Sequence, residues 1–308
     1  FGVLLRGLAP SVTGDDTGEL ACAARLLDVT HPPGHGLFCL VGRLFLLLPA
    51  GDPAFRVALL TAACGAAAVV LLASSVRTWL GRFGGGGAIG AVLAALAAAS
   101  LPSFLHLATE GEKYVPHLAL ALLAVRAYVA GRVSPFPVAA AVGMALAHHP
   151  MSLFLLPLLW PWRRALAVPR AAFLAAALLL VPFSVKVVYP PLRAEAAVTD
   201  RALFDWGRPR TVRGLARYLA VVQYREVFSF RPGEAAARLA PQLAAYGREI
   251  PWPALLAALL GAPLLLRAFP PGGGPLLAVI GLHLAMAATD RANPHLTPLF
   301  HVLPQFLI

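Results

Sequence analysis

The chain is punctuated by long apolar blocks that carry almost no charge, and this feature limits what it can fold into. The clearest are residues 57–76, 88–107, 118–130, 171–188, 252–266 and 275–288. They approach the ~20 apolar residues that a helix needs to cross the hydrocarbon core of a bilayer. Hydrophobic residues make up 59% of the chain and charged residues 13%, where a soluble domain carries roughly a quarter charged. Burying all of these segments in one soluble core is implausible for 308 residues. The expected fold class is all-α: a polytopic transmembrane helix bundle, one domain over residues 1–308. The chain opens on Phe1 and stops inside the apolar run 301–308, so both ends look cut and a longer natural protein is expected.

The formal net charge is +11, which could suggest nucleic acid. Here the basic residues are scattered at helix ends and in one long loop, so nucleic acid is not an expected partner. The lipid bilayer is. Arginine accounts for 23 of the 25 basic residues, a bias that reads as compositional drift. Cys22, Cys39 and Cys64 show no metal or redox spacing and read as small apolar residues.

Charge also sets the expected topology. If the first helix leaves the membrane near Pro10, alternating spans put all 14 acidic residues on the outer side. The opposite short loops carry Arg77 and Arg82, then Arg126 and Arg132, then Arg163, Arg164 and Arg170, then Arg267, with no acid among them. Short Arg-rich loops face the cytoplasm. Asp16, Glu112, His148, Asp205 and Asp290 are therefore expected at one face, and Arg82, Arg132, Arg164 and Arg267 at the other. Segment 133–162 has Arg at both ends, so a single crossing would strand Arg163 and Arg164 outside. Two short helices meeting near His148-His149-Pro150 would return both ends to the cytoplasm. Such a break is tolerated at membrane depth only beside protein or a water-filled cavity.

Two outer elements remain, a long first loop over 13–52 and a larger one over 189–251. The first reads Pro10-Ser11-Val12-Thr13-Gly14-Asp15-Asp16-Thr17-Gly18-Glu19, then His31-Pro32-Pro33-Gly34. A helix is expected over 18–27, with Asp16 or Thr17 as its N-cap. The apolar run 37–48 is expected along the interface or beside the bundle. Carboxylates just outside a membrane face can serve as general base, metal ligand or solvated charge, and a rigid Pro-Pro turn positions the loop that carries them.

These residues resemble the opening of a known polytopic membrane family, whose eukaryotic members are protein O-mannosyltransferases of the GT-C glycosyltransferase superfamily. The resemblance starts with Asp16-x-Gly18-Glu19, His31-Pro32-Pro33-Gly34 and Gly42-Arg43-Leu44-Phe45. It continues through Glu112-Lys113-Tyr114, then Leu146-Ala147-His148-His149-Pro150, then Tyr189-Pro190-Pro191-Leu192-Arg193-Ala194. Asp205-Trp206-Gly207-Arg208-Pro209 and Gln223-Tyr224-Arg225 complete it. Asp205 stands where the family usually has Asn, and His117 where Asn is expected after the Glu-x-Tyr. Beyond Arg225 only hydropathy matches.

The resemblance implies a GT-C-like bundle that moves a sugar, mannose being one possibility, from a polyprenyl-phosphate carrier to a protein or glycan acceptor on the outer face. It implies no cofactor. A prokaryotic plasma membrane is preferred to the endoplasmic reticulum as its location. The residues agree with this chemistry. Asp16 is the expected base for an acceptor hydroxyl, with the N-cap as its alternative role. A carboxylate at the mouth of an apolar bundle is expected to gain proton affinity by desolvation. Glu19 would orient the loop or bind the acceptor, or complete a capping box with Asp16. Arg193, Arg208 and Arg225 are candidates to hold the carrier phosphate through the bidentate guanidinium fork. Asp15, His31, Glu112, His148, His149 and Asp205 are further substrate-binding candidates; for the histidines a packing role stays open. No zinc site is expected, on the reading that no histidine pair has i, i+4 spacing with an acid nearby. The alternative function is a non-catalytic scaffold subunit that keeps the fold. A transporter would show two similar halves, and no such internal symmetry is present.

Overall fold

The structure is a computed structural model that describes residues 1–188 apart from 15, 29, 33, 85, 132–134 and 166, together with 211–220, 222, 244, 248, 263 and 273–289. Among these residues every regular element is helical. In chain order they are α1 (Gly2–Arg6), α2 (Thr17–Leu26), α3 (Gly36–Phe45), α4 (Pro53–Leu80), α5 (Gly87–Ala99), α6 (Pro102–Thr109), α7 (Tyr114–Val129), α8 (Phe136–His148), α9 (Ala167–Val188), α10 (Val212–Leu219) and α11 (Gly273–Thr289). A 3₁₀ turn, Gly81–Phe83, extends α4, and a 3₁₀ segment, Pro150–Ala165, follows α8.

Helix α4 starts at Pro53, whose missing N–H costs nothing at that position, and the Asp52 carboxylate caps it by accepting from the Phe55 N–H at 2.9 Å. With its 3₁₀ extension it runs for 31 residues, the one helix among the described residues long and apolar enough to cross a membrane alone. The block 88–107, expected as a single span, is instead α5 and α6 bent by 69°. Leu101 is extended and Pro102 opens α6, since a proline disfavours helical geometry in the residue before it.

Helix α7 is the centre of the bundle, packed on α4 and α8. Leu118, Ala121, Leu122, Ala124 and Val125 are all buried, as expected of a helix that is apolar on every side. Its 16 residues make it about 24 Å long, which separates two chemically different ends. Glu112 and Lys113 precede its first turn, while Arg82 Nη2 donates to the Val129 carbonyl in its last, at 2.6 Å. The expected opposition of Asp16, Glu112 and His148 to Arg82 is therefore present. Asp205, Asp290, Arg132 and Arg267 lie outside the described residues, as does the Arg164 side chain.

The break at His148-His149-Pro150 is also present. His149 is extended at φ −151°, ψ 138° and ends α8. The segment that follows is 3₁₀ rather than α-helical, with Pro157 and Pro161 inside it, each removing a backbone donor. It returns along the bundle. His148 Nε2 donates to the Lys113 carbonyl at 2.7 Å, beside the start of α7. The Trp162 ring meets Tyr128 near the end of α7, with centroids 5.9 Å apart. Helix α9 then packs closely on α8: a Cβ at Gly143 would lie 2.8 Å from the Ala171 carbonyl oxygen. Gly143→Ala is expected to destabilise the protein by about 1–3 kcal/mol. A detergent-solubilised variant that melts with the wild type would show that this helix contact is looser than described.

Candidate functional site

Four pieces of chain converge at the N-terminal end of α7: the start of α2, the loop after it, the turn 110–113, and the break after α8. Helix α2 begins at Thr17, and Asp16 occupies the N-cap position, yet its side chain makes no capping bond. A distant glutamate takes that duty. Glu112 Oε1 accepts from the Asp16 N–H at 3.1 Å, with the Thr17 hydroxyl at 3.5 Å. Close approach needs Gly111, where a Cβ would lie 3.0 Å from Thr17 Cγ2. The Asp16 carboxylate is thereby released from its helix. It accepts a hydrogen bond from the Lys113 ammonium through Oδ2, which also lies 3.7 Å from His31 Nε2.

Lys113 is 3% exposed. Its ammonium lies 3.9 Å from Glu112 Oε2 and 4.7 Å from the centroid of the Tyr114 ring. Burial opposes its charge, but the negative groups at Tyr114, Glu112 and Asp16 outweigh burial and raise its pKa above the ordinary lysine value. Lys113 is a permanent cation. Burial also pushes the Asp16 pKa up, as expected from the sequence. Here Lys113 and His31 pull it down by more, and the net shift is downward. The expectation of a more basic Asp16 is therefore corrected: with Lys113 in place it is an ionised carboxylate and a weak base.

Glu19 does not close a capping box. Its Oε1 accepts from the His31 N–H at 2.6 Å and its Oε2 from His31 Nδ1–H at 2.9 Å. Glu19 thus orients His31 through both backbone and ring. His31 in turn faces His35, with the two Nε2 atoms 3.2 Å apart, and His35 Nδ1–H donates to the His148 carbonyl at 3.0 Å. His35 stacks on His149 at 5.6 Å between centroids, and His149 Nδ1 accepts from the Met151 N–H. The His117 ring lies nearly parallel to that of His148, and the Ser152 hydroxyl is 3.2 Å from His117 Nδ1. Five of the chain's nine histidines thus gather at one point.

Of the residues singled out from the sequence, Asp16, Glu19, His31, Glu112, His148 and His149 come together here. Asp15, Arg193, Asp205, Arg208 and Arg225 lie outside the described residues. Sequence reasoning gave no role to Lys113, His35 or Tyr218. Lys113 carried a signal, being one of two lysines among 25 basic residues. His35 carried one too, four residues after His31 and close to Glu19. The statement that no i, i+4 histidine pair has an acid nearby is corrected: His31 and His35 are such a pair, and Asp16, Glu19 and His31 offer ligand atoms within 4.8 Å of one another. Pro32 stands between them in a turn, so the pair does not lie on a helix. Tyr218, on α10, donates its hydroxyl proton to the Thr30 carbonyl. Gly34 makes room for that ring, at φ +96° with a Cβ position only 3.1 Å from the Tyr218 hydroxyl.

A family model, the Protein O-mannosyl-transferase TMEM260 N-terminal domain, matches residues 16–162. That stretch begins at Asp16, whose carboxylate meets Lys113, and ends within the returning 3₁₀ segment. The Protein O-mannosyl-transferase TMEM260 of Mus musculus is 45% identical over 80 residues, covering 26% of this chain and 11% of that protein. Its counterpart in Dictyostelium discoideum is 32% identical over 74 residues, covering 23% of this chain and 9% of that protein. The matched regions thus span about a tenth of the length of these curated relatives. Among solved structures, ArnT from Cupriavidus metallidurans bound to undecaprenyl phosphate superposes with a TM-score of 0.61 at 15% identity, covering 99% of this chain and 57% of that one. Its apo state gives 0.52 at 13% identity with the same coverage. The long apolar helix, the bent pair and the buried α7 are therefore parts of a membrane-protein fold. Over residues 16–162 the chain is thus similar to the Protein O-mannosyl-transferase TMEM260 N-terminal domain, and its fold is similar to that of ArnT.

Proposed function

We propose that the chain is a membrane glycosyltransferase that moves a sugar from a polyprenyl-phosphate carrier to a hydroxyl of a protein or glycan acceptor on the extracytoplasmic side. The observation that carries this reading is the Asp16–Lys113 pair, held by Glu112 at the outer end of the bundle. In the reaction the acceptor oxygen attacks the anomeric carbon, the bond from that carbon to the phosphate oxygen breaks, and the carrier leaves as polyprenyl phosphate. The acceptor proton goes to Asp16. A phosphate oxygen that takes over the Lys113 ammonium removes the partner that depresses Asp16, so donor binding raises the basicity of the base. Lys113 acts on the phosphate as a compact point charge; Arg193, Arg208 or Arg225 would supply the bidentate fork. The sugar lies between the two ends. Relatives are named O-mannosyl-transferases, and an ArnT structure holds undecaprenyl phosphate. Polyprenyl-phosphate mannose is accordingly the first donor to test.

The experiment is a transfer assay on membranes containing the chain, with a panel of polyprenyl-phosphate sugars and radiolabelled mannose first. Transfer above empty membranes is expected from at least one donor. Correctly inserted protein inactive with the whole panel would leave the scaffold reading in its place. Sidedness is testable separately. Ser11 and Phe83 are exposed near the two ends of the bundle. With the exposed Cys22 removed, an impermeant maleimide applied outside is expected to label Ser11→Cys and spare Phe83→Cys. Labelling of both from the same side would contradict the assignment.

A further inference from the structure

The turn that carries His31 is a strained piece of chain held from two sides. It is bracketed by Leu27 and His35, which at φ +49° and +40° are the non-glycine residues with positive φ among the described residues. A side chain in this left-handed region crowds its own backbone, so the conformation persists only where the surroundings over-determine it. Between the two, the Gly34 N–H closes a turn onto the His31 carbonyl at 2.9 Å. Glu19 holds one side of this turn, through the His31 N–H and ring. Tyr218 holds the other, from a helix that lies 188 residues beyond Thr30 in the chain.

The Tyr218 ring meets the turn on both sides of His31. Its hydroxyl donates to the carbonyl of Thr30, the residue before His31, and Thr30 is itself fully buried. Beyond His31, a Cβ at Gly34 would lie 3.4 Å from Tyr218 Cε1 as well as 3.1 Å from the hydroxyl. Tyr218 is also the one buried residue of α10, at 3% exposed, while Val212 in the same helix is 88% exposed. Helix α10 is thus seated chiefly through this ring. What the turn positions is the His31 imidazole, whose Nε2 lies 3.7 Å from Asp16 Oδ2.

We propose that Tyr218 is a positioning residue: by locking the strained turn from Thr30 to Gly34 it holds the His31 ring beside the Asp16 carboxylate. Tyr218 acts through His31 and not on a reacting atom. The lock stands on the geometry of the turn, whereas its effect on rate rests on the sugar-transfer reading. Asp16 is faced by Lys113 and Glu112 from the turn before α7 and by His31 from this one; Glu19, on the helix that Asp16 precedes, is turned to His31. Burial works to raise the Asp16 pKa, and Lys113 and His31 bring it down on balance. Release of His31 removes part of that downward pull, so Asp16 then takes up its proton at a higher pH. A base must be ionised to act, and the acid limb of kcat/KM therefore moves to higher pH when the lock is lost.

The test compares the full chain in detergent with Tyr218→Phe, which removes only the hydroxyl, and Tyr218→Ala, which removes the ring. Carbethoxylation of His31 by diethyl pyrocarbonate, read by peptide mass spectrometry, reports the lock without any assay of transfer. His31 is expected to react about 2- to 10-fold faster in Tyr218→Phe, the net worth of one hydrogen bond, and faster again in Tyr218→Ala. The exposed His106 supplies the reference rate in each sample. Gly143→Ala, which disturbs the contact of α8 with α9, is expected to lower the melting temperature and leave the His31 rate alone. With a donor that is transferred, Tyr218→Ala is expected to lose about 10- to 100-fold in kcat, to shift the acid limb to higher pH, and to keep the donor KM, since Lys113 is untouched. His31 rates that stay at wild type in both Tyr218 variants, or rise as much in Gly143→Ala, overturn the proposal. Faster labelling with transfer and its pH profile unchanged overturns it too. If wild type transfers no sugar from any donor, faster labelling in both variants supports the lock and removes the transfer reading alone.

Discussion

Asp16→Asn protein, inserted and folded like the wild type, is expected to transfer sugar about 10²–10⁴-fold more slowly, the usual cost of losing a general base. Asparagine keeps the shape and the Asp16 N–H that Glu112 holds, so the start of α2 stays anchored. What it removes is the charge on Lys113 and the acceptor of the hydroxyl proton. The substitution therefore acts on chemistry more than on position, and kcat is expected to carry most of the loss. Donor binding is expected to change little or to tighten, because Lys113 no longer has a carboxylate competing with the phosphate. Activity within about threefold of wild type would remove Asp16 from the mechanism and make Glu19 the next carboxylate to test.

The membrane architecture was legible because bilayer thickness imposes its length on the sequence. The return of the chain at His148-His149-Pro150 was legible for a related reason. Arginine at both flanks and a proline between them leave few other solutions. The bend between α5 and α6 was missed although Pro102 was in plain view, because hydropathy integrates over a window and is blind to direction. At the site, Asp16 and Glu112 could be named singly from the sequence, but not their relation. The residues lie 96 apart, and only the fold shows that Glu112 caps the helix Asp16 should have capped. The direction of the Asp16 pKa shift was missed for the same reason. Desolvation can be foreseen from a membrane boundary, whereas the cation that overrides it comes from the turn before α7. Lys113 went unassigned because a lysine next to a glutamate reads as an ordinary solvated pair. Its burial, which makes the pair matter, is a property of the packed bundle.

Lys113→Met is expected to show whether that buried ammonium serves stability, donor binding or both. Methionine keeps the unbranched stem and its packing while removing the charge. Glu112, 1% exposed, then keeps its carboxylate without the ammonium beside it. Breaking a buried pair by deleting one partner typically costs about 3–5 kcal/mol. Asp16 is partly solvated and adds little to that cost. A clear drop in melting temperature is therefore expected from Lys113→Met. The double variant Glu112→Gln/Lys113→Met is expected to recover most of it, since the Gln carbonyl still accepts from the Asp16 N–H and no buried charge is left uncompensated. Donor binding is expected not to recover. Losing a charge-assisted hydrogen bond to phosphate, about 1.5–3 kcal/mol, weakens the donor by roughly 10- to 150-fold in both variants. A structural counterion alone would give a double variant that regains stability and binding together, and that outcome would move the phosphate contact from Lys113 to the arginines of the second outer loop.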